Sequence, residues 1–319
     1  MRVLPHRPAR PRRRLAAAAA SLTAAVALFL GAGAAPAQAG GLPLPVAYSP
    51  TNGVIPALAD PASSPPGAND WSCRPSSAHP YPVVLVHGTF GDMRDNWDSM
   101  APLLYDNGYC VFALNYGGPS GNVIQGIDDI PTGAAQLSAF VDQVLAATGA
   151  AKVDIVGHSQ GGMMPRYYIG FLGGAAKVHT LVGLAPSSHG TTLDGLVTLA
   201  QNTGTQGLVN SLVSAACTAC VQQESGSGFV SRLDSLPDTV AGVNYTVIET
   251  EYDAVVTPYQ SSFLSGSGVH DIDLQQQCAL DFTGHVGIAF DPNALGDVLN
   301  ALDPAHPVWV PCVWYSPGL

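Results

Sequence analysis

Ala151-Lys152-Val153-Asp154-Ile155-Val156-Gly157-His158-Ser159-Gln160-Gly161-Gly162 decides how the rest of this chain is read. A short β-branched run, Val153 to Val156, leads into Gly157-His158-Ser159-Gln160-Gly161. A helix-like segment, Met163-Met164-Pro165-Arg166-Tyr167-Tyr168, follows at once. This is G-x-S-x-G between a strand and a helix, the form of a nucleophile elbow. A serine hydroxyl attacks only where it stands free with a base beside it. The sharp turn that exposes it crowds the backbone, so the residues two before and two after must be small. Gly157 and Gly161 fill those places. The helix that begins after Ser159 aims free N–H groups at the spot where an oxyanion would form. G-x-S-x-G also arises by chance in a chain with 35 glycines. It is the flanking strand and helix that make Ser159 the candidate.

Outward from this stretch, strands and helices alternate. Tyr81 to Gly88 holds a near-continuous apolar run, as a buried parallel strand does. Trp97, Met100, Leu103 and Leu104 share one face of a helix that Gly108 can end. Tyr109 to Tyr116 reads as a strand, Ala135 to Thr148 as an amphipathic helix, and 178–184 and 243–249 as further strands. The pattern predicts an α/β fold, a mostly parallel sheet with helices on both faces. Functional residues then gather at the carboxyl ends of the strands. Residues 187–242 interrupt the alternation with apolar stretches such as Leu193 to Leu199 and Phe229 to Leu236. Such an insertion is either a cap or lid or ordinary sheet-covering helix.

The ends of the chain read differently. Arg2, Arg7, Arg10 and Arg12 to Arg14 precede the apolar stretch Leu15 to Ala35, and Ala37-Gln38-Ala39 offers a small-x-small cleavage site. Residues 1–39 are therefore expected to be a signal peptide, and 40–319 a single domain that is secreted. The arginine run leaves the export route open between general secretory and twin-arginine. Residues 40–80, rich in Pro, Ala, Ser and Gly, read as an extended arm. No other segment is long and apolar enough to span a bilayer. All 23 acidic residues but only six basic ones follow Ala39, a formal charge of −17. That charge argues against a nucleic-acid partner. Cys73, Cys110, Cys217, Cys220, Cys278 and Cys312, an even number behind a leader, suggest disulfides. Cys217 and Cys220 form C-x-x-C; with no second pair or His ligand pair to complete a metal site, a local bridge is favoured.

A serine nucleophile needs a base and an orienting acid, which in this kind of sheet follow it in the order acid, then His. Three histidines follow the fifth strand. His285 sits in the turn Asp281-Phe282-Thr283-Gly284-His285-Val286-Gly287 and is the expected base; His270 precedes an acidic loop and His306 lies near the end of the chain. Asp253, just past the fifth strand, is the expected acid. Glu249 and Glu251 compete with it but read as solvated strand-end residues. The backbone amides of Thr89 and Gln160 form the expected oxyanion pair. His87 and His158 read as packing or hydrogen-bonding residues. No cofactor or metal is needed for this chemistry.

Taken together, Pro82 to Thr89, Asp95-Asn96-Trp97, Gly157 to Gly162, His189-Gly190-Thr191-Thr192-Leu193, Tyr252 to Tyr259 and Asp281 to Val286 resemble the secreted actinobacterial lipases of the class 2 lipase family. They are more distantly similar to Candida antarctica lipase B. The resemblance covers most of residues 70–312. It implies an α/β-hydrolase fold and carboxylic ester hydrolysis of lipids or other esters, at a lipid–water interface or in solution. It places nucleophile, acid and base on Ser159, Asp253 and His285, and the oxyanion donors on Thr89 and Gln160. Gln160 stands where many bacterial lipases carry Met. The cysteine layout, by the same resemblance, implies Cys73–Cys110 and Cys278–Cys312. Cys217 and Cys220 have no counterpart in lipase B. Acyl transfer by the same residues, polyester hydrolysis, and non-catalytic lipid binding are the competing functions.

Overall fold

The computed structural model describes residues 42–193, 206, 210 and 213–317. The expected leader, and the apolar stretch 193–199 beyond its first residue, lie outside them. Pro43–Leu319 forms one compact unit.

Six strands build one sheet: β1 (Val83–Val86), β2 (Val111–Leu114), β3 (Val153–His158), β4 (Val178–Leu184), β5 (Asn244–Glu249) and β6 (Val269–Asp273). All neighbours are parallel, in the order β2-β1-β3-β4-β5-β6. The four residues of β1 are fully buried because both faces of the sheet are covered. Val84 and Val86 face a core shared with α4 (Ile130–Thr148) and α5 (Gln160–Phe171). Val83 and Leu85 face a second core with α3 (Met100–Asp106) and the C-terminal helix Pro292–Leu302. Each fully buried Val or Leu side chain contributes about 1.5–3 kcal/mol.

Three elements differ from the sequence reading. The helix expected to carry Trp97 through Leu104 begins only at Met100, as α3; Trp97 instead follows a separate short helix, α2 (Met93–Asn96), as its C-cap residue. Pro102 favours this late start: it lacks an N–H and is best tolerated in the first turn of a helix, where the start at Met100 puts it. Asp92 and Asp95 make a capping box that starts α2 separately. The arm before β1 is not wholly extended; Thr51–Ala59 forms α1. It packs close to α2, where a Cβ on Gly53 would lie 2.7 Å from the Asp95 carbonyl oxygen. Finally, Val269-His270-Asp271-Ile272-Asp273 is a sixth strand at the sheet edge. Its charged, half-exposed side chains suit an edge and hide the usual apolar signal.

The strand order reverses around β1, whose neighbours are β2 and β3. A crevice opens outside the carboxyl ends at such a point. Val86 pairs with Gly157 in register, so residues after β1 lie beside the turn after β3.

Candidate active site

The turn after β3 shows why its glycines are required. A Cβ on Gly157 would sit 1.8 Å from the Gly161 carbonyl oxygen, and one on Gly161 2.0 Å from that of Val86. Ser159 itself adopts φ 55° and ψ −124°, a strained conformation for an L-residue. Its N–H donates to the Leu184 carbonyl at 2.9 Å, which ties the turn to β4.

The structure brings Ser159, His285 and Asp253 together. His285 Nε2 lies 2.9 Å from Ser159 Oγ, and Nδ1 lies 2.6 Å from Asp253 Oδ2. The hydrogen-bond network assigns the tautomer: Nδ1–H donates to the carboxylate, and Nε2 accepts from the serine hydroxyl. All three residues are buried. Asp253 is fixed by its own turn, since Oδ1 accepts the N–H groups of Val255 and Val256, each at 2.7 Å.

His158, next to the serine, lies behind the site. Its Nε2–H donates to the His285 carbonyl oxygen at 2.8 Å, and burial pushes its pKa down to about 3, so it stays neutral. His87 is likewise buried, with its pKa lowered to about 4 by desolvation; it stacks on Tyr116 and donates Nδ1–H to the Gly88 carbonyl at 2.8 Å. His270 is exposed on β6 and His306 is exposed near the C-terminus. Neither joins Ser159.

Thr89 and Gln160 flank the serine. Their backbone N–H groups find no acceptor among the described residues. The Thr89 hydroxyl oxygen accepts two side-chain N–H groups, from Gln160 Nε2 and Gln223 Nε2, each at 2.9 Å. Both amides are oriented by a second bond: Gln160 to the Gly126 carbonyl at 2.8 Å, Gln223 to that of Ala219 at 3.2 Å. Ser187 Oγ donates to Gln223 Oε1 at 2.8 Å. A hydroxyl has one proton and two lone pairs. With both lone pairs filled, the Thr89 O–H is left to donate. Sequence reading missed Gln223, which sits in an insertion where spacing says nothing about the partner across the cleft.

A cleft of about 250 Å³ opens beside this group. Val54, Phe90, Val286 and Phe290 give it an apolar lining, and Asp95 adds a carboxyl whose pKa burial raises to about 7. Phe90 and Val286 are exposed at its mouth.

Glu251 is exposed, as a solvated residue should be, but Glu249 is completely buried. It lies inside the sheet because its strand is covered on both faces. The fold also gathers His189, Asp234 and Asp238, whose ligand atoms lie within 4.8 Å of one another, a set the spacing did not reveal. The Arg166 guanidinium already pairs with Asp238 at 2.7 Å, so that carboxylate has a cation of its own.

The six cysteines form three bridges: Cys73–Cys110, Cys217–Cys220 and Cys278–Cys312.

A parallel sheet with its serine turn at the strand-order reversal is the architecture of the α/β hydrolases. The likeness to solved structures agrees. Aspergillus fumigatus lipase B aligns at a TM-score of 0.58 and 21% identity, over 76% of this chain and 56% of that one. The mature form of Bacillus licheniformis lipase BlEst2 aligns at 0.54 and 18%, over 72% and 94%. At these identities the likeness speaks to the fold alone. The chain belongs to the lipase (class 2) family, whose pattern it matches over residues 80–294. A triacylglycerol lipase of Pseudarthrobacter phenanthrenivorans is 44% identical over 93 residues, 27% of this chain and 27% of its own length. One from Burkholderia plantarii is 44% identical over 93 residues, 27% of this chain and 24% of its own length. The chain thus matches about a quarter of the length of these curated relatives.

Proposed function

We propose that this protein is a secreted ester hydrolase, a lipase or carboxylesterase working through an acyl-enzyme on Ser159. The observation that carries the reading is the line from Ser159 Oγ to His285 Nε2 at 2.9 Å and from His285 Nδ1 to Asp253 at 2.6 Å. Ser159 Oγ attacks the ester carbonyl as its proton passes to His285 Nε2. The new bond is Oγ–C; the carbonyl π pair moves to oxygen. Backbone N–H groups of Thr89 and Gln160, with the Thr89 hydroxyl, take up that charge. The C–O bond to the alcohol then breaks, and His285 returns the proton to the departing oxygen. Water repeats the sequence and releases the acid. Asp253 holds the imidazole and balances its charge while it carries the extra proton. The leader read in residues 1–39 and the three disulfides support export. No helix among the described residues is long and apolar enough to cross a membrane.

The test is Ser159→Ala, assayed on p-nitrophenyl esters from short to long acyl chains and on an emulsified triglyceride. Loss of activity on the order of 10⁴-fold or more, with the fold kept, is expected. Retention of a tenth of the rate would sink the reading. A serine-directed phosphonate should label the wild type and not the variant.

A further inference from the structure

Glu249 is the last residue of β5, four positions before Asp253, and no part of its side chain reaches solvent. Its Oε1 accepts the Thr250 N–H at 2.8 Å. Its Oε2 is buried with no donor seated on it. The Asp253 carboxyl faces it, with the Ser262 hydroxyl alongside. The other titratable groups nearby are Asp273, its register partner on β6, and His285, which is already engaged with Asp253. Asp273 uses its own carboxylate to cap Gln275 and Gln276.

Two carboxyls in contact inside a protein cannot both carry charge. The hydrogen-bond donors around each carboxyl decide which one does. Asp253 accepts three N–H groups, from Val255, Val256 and His285. Glu249 accepts one backbone N–H, and the Ser262 hydroxyl beside it adds at most one neutral donor. The negative charge therefore belongs on Asp253 and the proton on Glu249. A carboxylate offers about four lone-pair sites, and three on Asp253 are already filled.

We infer that Glu249 is a neutral carboxylic acid that donates its O–H to Asp253, and so acts as a positioning residue for the acid that orients His285. Burial, and next the charge of Asp253, raise its proton affinity well above that of an ordinary glutamate. The donated hydrogen bond fixes the Asp253 carboxylate from the side opposite its own turn. The inference rests on Asp253 serving His285 as proposed above.

Glu249→Gln and Glu249→Leu test it. Gln is the isostere of the neutral acid and keeps an N–H donor; Leu keeps the bulk and removes the donor. The first readout is thermal unfolding against pH, which needs no catalysis. A glutamate whose folded pKa is raised gives its full stability below the unfolded value of about 4.3 and loses it as pH rises toward the folded one. The Gln variant has no such group. Its melting temperature, relative to wild type, should climb steadily with pH above about 4.3. The second readout is kcat and KM. Gln should retain the wild-type kcat near neutrality. Leu should lose roughly 10–100-fold in kcat with KM held, the effect of one hydrogen bond to a charged group. A difference in melting temperature that stays flat with pH would overturn the protonated state. A Gln variant as impaired as Leu would overturn the donor role. Full activity in Asp253→Asn with the thermal trend intact would sink the triad reading and the positioning role with it, while leaving the proton on Glu249.

Discussion

Gln223 donates an amide N–H to the hydroxyl oxygen of Thr89 at 2.9 Å, across 134 residues of chain. Gln160 fills the other lone pair. A free threonine hydroxyl rotates; this one is locked with its proton pointing away from both amides. Such a donor costs no reorganisation when charge develops on the substrate oxygen, which is where oxyanion stabilisation comes from.

Thr89→Val keeps the β-branched shape and the backbone N–H but removes that proton. It should lower kcat by roughly 10²–10³-fold with KM nearly unchanged. Thr89→Ser should retain most activity. Gln223→Leu frees the hydroxyl to rotate without deleting it, so its loss should be smaller than that of Thr89→Val. Steady-state kinetics on one soluble ester check all three. Equal rates for wild type and Thr89→Val would mean that backbone donors alone form the hole.

Asp253→Asn should cut kcat on the order of 10⁴-fold, because the amide favours the wrong imidazole tautomer. Glu251→Gln should change little, since Glu251 is exposed and its backbone N–H, not its side chain, bonds Gln275 at 2.8 Å. If Glu251→Gln is the damaging change, the acid has been misassigned.

The sequence made legible what depends on local rules. The serine turn announces itself because only glycine fits at 157 and 161, where a Cβ would meet backbone oxygen within about 2 Å. β1 announces itself because a strand covered on both faces must be apolar throughout. What stayed hidden depends on neighbours distant in the chain. β6 carries charges because it is an edge, so its composition resembles a loop. Glu249 looks like a solvated strand end until the covering of β5 is known. Gln223 gains meaning only when the insertion folds back over Thr89.

Unreduced, denatured protein should show no titratable thiol among its six cysteines. Cys73–Cys110 and Cys278–Cys312 close loops with sequence separations of 37 and 34. Replacing either pair by Ser should lower stability by about 2–4 kcal/mol. Cys217–Cys220 spans a separation of only 3, so its removal should cost much less. Denaturant unfolding of the three double variants measures the order. A Cys217–Cys220 variant as unstable as the others would show that this bridge does more than close a short turn.

The loop that carries His285 rests on a second pair of buried carboxyls, Asp281 and Asp291, both fully out of solvent. Asp281 accepts the Thr283 N–H at 2.9 Å and the Asn293 side-chain N–H at 2.8 Å. Asp291 accepts the Asn293 backbone N–H at 2.9 Å through one oxygen, while the other is buried without a donor. Desolvation first, then its contact with Asp281, push the Asp291 pKa up to about 9. Asp291 therefore holds the proton and bridges to Asp281. An acid with a raised folded pKa gives full stability below its unfolded value of about 3.9 and loses it progressively as pH rises toward the folded value. Asp291→Asn keeps the oxygen that accepts the Asn293 N–H, donates toward Asp281, and cannot ionise. It should match wild type in melting temperature near pH 4 and exceed it by a margin that widens toward pH 9, the limit set by the raised pKa. Melting curves across that range check the trend. A margin that does not change with pH would mean that Asp291 is ionised in the folded protein and that the pair shares no proton.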